Sequence, residues 1–126
     1  MTKLLLIDDD AQFCAMLAER LRGEGYTVTT AADGKPGLAE FRHGDYALVI
    51  LDIILPDMEG LETLRELRRI KATVKVIAIS GGGMGDPGTY LRSARLLGAD
   101  AIFAKPFDWP TFLAGLRRLL GEGDPA

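Results

Sequence analysis

KLLLIDDD, residues 3–10, decides how the rest of the chain is read. Four apolar residues, Leu4 to Ile7, run straight into Asp8, Asp9 and Asp10. A run that is apolar at every position buries both of its faces, the pattern of an interior strand in a parallel sheet. Three adjacent carboxylates at its end repel one another, and a buried carboxylate is costly unless something neutralises it. The same construction returns where Tyr46 to Leu51 ends at Asp52, where Val74 to Ile79 ends at Ser80, and where Ala101 to Ala104 ends at Lys105.

Helical patterns fill the intervals. Phe13, Met16, Leu17 and Leu21 follow helical spacing, and Gly23 and Gly25 stop that helix. Tyr26 to Thr30 alternates and is rich in β-branched residues, a further strand. Asp33 is placed to cap a short helix carrying Leu38 and Phe41, with Pro36 tolerated in its first turn. Leu61, Leu64 and Leu67 share one helix face, opposite a solvated side of Arg65, Glu66, Arg68 and Arg69. Leu91, Ala94 and Leu97 mark a helix closed by Gly98, and Asp108 caps a last helix striped by Phe112, Leu113, Leu116, Leu119 and Leu120. Five successive β–α units predict one α/β domain: a doubly wound, flavodoxin-like (βα)5 fold whose central five-stranded parallel sheet has helices on both faces. That domain is expected over residues 1–121, with 122–126 a short flexible tail.

Composition narrows the function. The 126 residues suit one domain, and 48% apolar with 26% charged residues are globular values. A net charge of −3 offers no basic stripe for a nucleic acid. The single cysteine, Cys14, excludes an internal disulfide and reads as a small semi-buried residue of the first helix. No signal-peptide pattern opens the chain and no apolar run approaches the roughly 20 residues of a membrane span. A cytoplasmic protein is expected.

In doubly wound sheets the ligand sits beyond the carboxyl ends of the strands. Asp8, Asp9, Asp52, Ser80 and Lys105 all lie there. Each alone has an ordinary explanation, since Asp caps helices, Ser frequents loops and Lys is usually solvated. Their joint placement at four strand ends does not. Three carboxylates so close raise one another's pKa values unless a cation neutralises them. Mg²⁺ suits the need: it takes one or two carboxylates, keeps water, and leaves room for phosphate oxygens. No EF-hand loop for Ca²⁺ is present. A divalent ion beside an ammonium and a hydroxyl is equipment for stabilising a phosphoryl group.

LLIDDD, LVILDIILPDMEG, VIAISG and FAKPF, in that order, resemble the receiver domain of two-component response regulators, over essentially the whole chain. The resemblance implies that Asp52 is the phosphoacceptor. It implies that Asp9 ligates Mg²⁺ directly with Asp8 acting through metal-bound water, and that Asp52 and the Ile54 backbone carbonyl complete the protein ligands. Lys105 would pair with one phosphoryl oxygen and Ser80 with another, with backbone N–H groups near Ile54 and Gly81 taking remaining charge. Asp10 is left to cap the first helix. The implied function is a phosphorylation-dependent switch of a phosphorelay. Its phosphodonor would be a histidine kinase or histidine phosphotransfer protein, and it would catalyse only its own phosphorylation and autodephosphorylation. With room for nothing beyond this domain, a stand-alone receiver acting through a protein partner is expected. The alternative, a phosphorylation-independent interaction module, would be marked by loss of one of the five groups, and all five are present. An aspartate-dependent phosphohydrolase needs an acid two residues after its nucleophile, where Ile54 stands.

Several features depart from the receiver pattern. Ile102 occupies the position of the usual switch aromatic, and Phe103 is expected to point to the opposite face. GGGMGDPG, residues 81–88, has five glycines in eight residues and reads either as a plastic switch loop or as a surface insertion. Gly83 to Thr89 nearly fits a P-loop but lacks its lysine. Pro36 stands where receivers often carry an acidic or small residue, and no function attaches to it. His43 reads as a solvated helix-end residue. Arg92, Arg95, Ile102 and Trp109 are grouped as a docking patch formed by the fourth helix, fifth strand and last helix.

Overall fold

The computed structural model describes residues 1–53, 60–81, 92, 94, 95 and 98–122. Its strands are β1 (Lys3–Ile7), β2 (Thr27–Ala31), β3 (Leu48–Asp52), β4 (Lys75–Ser80) and β5 (Ala101–Ala104). Its complete helices among the described residues are α1 (Ala11–Gly23), α2 (Gly34–His43), α3 (Gly60–Ile70) and α4 (Trp109–Leu119). All strand pairs are parallel, in the order β2-β1-β3-β4-β5. The helix expected around Leu91 to Leu97 lies largely outside the described residues, although Arg92, Ala94 and Arg95 are helical.

Strand alternation splits the core in two. Leu5, Ile7, Val49 and Leu51 face α2 and α3 with Leu38, Phe41, Leu64, Leu67 and Ala94. Leu4, Leu6, Leu48 and Ile50 face α1 and α4 with Leu17, Leu21, Phe112 and Leu116. The all-apolar runs of β1 and β3 are therefore buried on both sides, as two-faced interior strands must be. Three helices begin on aspartate caps: Asp10 accepts from Phe13 N, Asp33 from Gly34 N, and Asp108 from Thr111 N.

Some boundaries and faces differ from expectation. The second strand begins at Thr27, because the N–H of Tyr26 bonds back to Leu21 O and that of Gly25 to Arg22 O. This closure, with Gly25 at φ +98, ends α1 before the sheet begins. Met16 is 47% exposed, so it is not a core residue of α1. Arg68 is not a solvated side chain. Its guanidinium bonds the carbonyls of Ala72, Val74 and Gly98 and pairs with Asp100 at 2.8 Å. Asp100 in turn accepts from Val76 N. At the far end, Glu122 accepts from the Tyr26 hydroxyl.

Candidate functional site

The sheet register brings the strand ends together. Ile7 pairs with Ala31 and Leu51, Asp52 with Ile79, and Ser80 with Ala104. The ladder continues one residue further at both sides, through Asp8 N to Ala31 O at 3.0 Å and Lys105 N to Ser80 O at 2.8 Å. The β1 and β3 ends flank the point where strand order reverses, the crevice position of such sheets.

Asp8 is buried, with its side chain 0% exposed. Its Oδ1 accepts from Asp10 N at 2.9 Å and its Oδ2 from Lys105 Nζ at 2.8 Å. The same ammonium reaches Asp52 Oδ2 at 3.3 Å, and Asp52 is only 6% exposed. Asp9 is exposed. One carboxylate oxygen from each of Asp8, Asp9 and Asp52 lies within 4.8 Å of the others.

Lys105 is held on every side. Its stem runs over Gly81, where a Cβ would overlap the Lys105 Cβ and crowd its Cγ, so only glycine permits the approach. Its ammonium lies 4.2 Å from the centroid of the Phe13 ring. Burial pulls the Lys105 pKa down, but the hydrogen bond to Asp8 and the charges of Asp52 and Asp8 outweigh it, and the pKa ends above its ordinary value. Beside it, the fully buried Ser80 hydroxyl has no hydrogen-bond partner among the described residues. A buried hydroxyl without a partner costs about 1–3 kcal/mol, and this one has an O–H to donate to an acceptor that reaches it.

The donor set fits a hard divalent ion. It consists of oxygens alone, and the Lys105 ammonium pairs with Asp8 and Asp52 but not, among the described contacts, with Asp9, so three carboxylates beside one ammonium leave a formal excess of two negative charges.

The response regulator receiver domain model matches residues 4–117. The chain belongs to this family. Curated relatives include the response regulator ArlR of Staphylococcus saprophyticus, 36% identical over 121 residues that cover 95% of this chain and 53% of that protein. The transcriptional regulatory protein TcrA of Mycobacterium tuberculosis is 35% identical over 122 residues, covering 96% and 47%. This receiver thus spans about half the length of the curated relatives it matches. Among solved structures, a CheY-like response regulator receiver domain protein from Methanospirillum hungatei superposes with a TM-score of 0.85 at 31% identity, over 97% of this chain and 95% of that one. Among the described residues, no helix of the receiver is long and apolar enough to cross a membrane.

The remaining candidates are placed as follows. Ile54 lies outside the described residues, as does the glycine-rich stretch beyond Gly81 with its near-P-loop. Ile102 packs with Ala99 against the α2 and α3 cluster, and Phe103 faces the other side. Trp109 also lies on that other side, its ring stacked on Phe112 and the Arg20 guanidinium 5.2 Å from its centroid. The expected docking patch is therefore divided: Trp109 sits against α1, whereas exposed Arg92 and Arg95 flank Ala94 on the face of Ile102. Strand alternation and the packing of α4 on the Phe103 face impose the separation. His43 is the exposed last residue of α2. Sequence reasoning gave Phe13 only a helical packing role. Its position three residues after the capping Asp10, in the first turn facing the site, was the available signal.

Proposed function

We propose that this receiver is a phosphorylation-dependent signalling switch that accepts a phosphoryl group on Asp52 from a phosphohistidine donor. The observation that carries the reading is Lys105, whose ammonium binds Asp8 and Asp52 together next to Asp9. Asp52 Oδ attacks phosphorus in line, and the phosphorus–nitrogen bond of the donor breaks with its electron pair returning to the imidazole. The product is an acyl phosphate. Asp8, Asp9, Asp52 and the Ile54 backbone carbonyl are the groups that would hold Mg²⁺, which when bound supplies neutralising charge to the phosphoryl oxygens. Lys105 stays within reach of the oxygens that gain charge, and fixed cations of this kind lower the barrier without covalent help.

The orphaned Ser80 hydroxyl supports the second half of the reading. A phosphoryl oxygen on Asp52 gives it an acceptor that the described residues do not, so it moves and carries the end of β4 with it. A downstream protein reads the altered face around Ile102, Arg92 and Arg95. The phosphodonor is a histidine kinase or a histidine phosphotransfer protein, and the site of action is cytoplasmic. The chain acts on itself, forming and slowly hydrolysing its own acyl phosphate.

Incubation with Mg²⁺ and a small acyl phosphate tests this. A one-phosphoryl mass increase that vanishes in Asp52→Asn is expected. No increase, with Mg²⁺ binding also absent, would overturn the reading in favour of a phosphorylation-independent interaction module.

A further inference from the structure

The Phe13 ring is constrained from three directions. Its backbone N–H donates to the Asp10 cap at 3.1 Å, and the N–H of Asp10 donates to Asp8, so one short loop positions both the ring and the buried carboxylate. It meets Phe107 in a T-shaped contact with ring centroids 5.8 Å apart. Phe107 stacks on Phe112 at 4.5 Å, and Phe112 is fully buried. The ring is thereby braced through two further rings into the core. The Lys105 ammonium lies over the ring, 4.2 Å from its centroid.

We infer that Phe13 is a positioning residue for phosphoryl transfer, its ring face holding the Lys105 ammonium in the site; this rests on Asp52 being the acceptor. The physical reason is the kind of partner a ring makes. Asp8 and Asp52 hold Lys105 by full charges, and Asp52 loses its own carboxylate when it is phosphorylated. A ring quadrupole attracts the ammonium without competing for it as a third carboxylate would, and the attraction is tolerant of small displacement. Lys105 can therefore shift from the Asp52 carboxylate to a phosphoryl oxygen while remaining under the same ring. The Gly81 approach confines its stem during that shift. An aliphatic side chain at residue 13 fills space but offers the ammonium nothing.

Two measurements decide the matter. In the first, the rate of Asp52 phosphorylation by a small acyl phosphate with Mg²⁺ falls about two- to fivefold in Phe13→Leu, the size of one cation–π contact, and is restored in Phe13→Trp. In Lys105→Ala, adding Phe13→Leu changes the rate no further, because the ring acts through the ammonium. A Phe13→Leu effect of the same size without Lys105, or no rescue by Trp, overturns the inference. The second measurement does not need phosphorylation. The Lys105 Hε protons in the ¹H–¹³C spectrum are expected upfield by the ring current, in wild type and Phe13→Trp but not in Phe13→Leu. Absence of that shift in wild type overturns the contact itself. A wild-type protein that shows the shift yet takes no phosphoryl group locates the failure in the reading of Asp52 instead.

Discussion

Lys105 Nζ lies 2.8 Å from Asp8 Oδ2, joining residues 97 positions apart in the chain. The pair is asymmetric: the Asp8 side chain is fully buried, whereas that of Lys105 keeps 14% exposure. Removing the lysine therefore strands a buried carboxylate, leaving it the Asp10 N–H as its remaining hydrogen bond among the described residues. Lys105→Met is expected to lower the unfolding free energy by about 2–4 kcal/mol in chelator. Adding Asp8→Asn recovers most of the loss, because the stranded charge is gone. Urea titration of the three variants checks this.

Ser80 sets stability against function. Its fully buried hydroxyl is unsatisfied among the described residues, so Ser80→Ala removes a desolvated polar group at little packing cost. The unphosphorylated protein should gain about 1 kcal/mol. The same substitution should abolish the change in hydrogen-exchange protection of β4 and β5 that follows phosphorylation, and Ser80→Thr should keep it. A Ser80→Ala protein that is less stable and still responds would contradict both halves.

The Arg68 fork ties the end of α3 to the turn before β4 and to the turn before β5. One terminal nitrogen bonds Ala72 O and Val74 O, and the other bonds Gly98 O and the Asp100 carboxylate. A lysine cannot reproduce two divergent donors from one planar group. Arg68→Lys should cost about 1–3 kcal/mol in urea unfolding, close to the cost of Arg68→Ala.

Alkaline stability has a component from Cys14. Burial, with the Asp8 charge second, pushes its thiol from 9.0 up to about 11. The folded state keeps a proton that the unfolded chain releases, so this contribution is complete below pH 9 and is lost as pH rises through about 11. Lys105 and Tyr26 are shifted in the same direction from higher starting values, 10.5 and 10.0, so their losses begin later. Cys14→Ala should flatten the fall in unfolding free energy that begins near pH 9. Alkylation of wild-type Cys14 at pH 8 should be slow, and fast labelling would refute its burial.

Much of the architecture was legible because period and punctuation agree with packing. The apolar runs of β1 and β3, the aspartate caps of α1, α2 and α4, and the polar residues closing β1, β3, β4 and β5 are local signals with one physical reading each. Failures came where a residue's partner is distant. Arg68 looked solvated because its acceptors lie across two turns. Trp109 was grouped with Ile102 as one surface of the fifth strand and its flanking helices, yet strand alternation and the placement of α4 set them on opposite sides of the sheet.

The chain by itself determined that four of the five strands end in polar groups and that Asp8, Asp9, Asp52, Ser80 and Lys105 are those groups, since period-two burial and strand length are written locally. Only the tertiary structure decided how they are connected. Parallel register sets Asp8 and Asp52 beside one another, the bare Cα of Gly81 admits the Lys105 stem, and the first turn of α1 turns the Phe13 ring toward the ammonium. Those are distances between residues far apart in the chain, and no local propensity encodes a distance that the sheet alone creates.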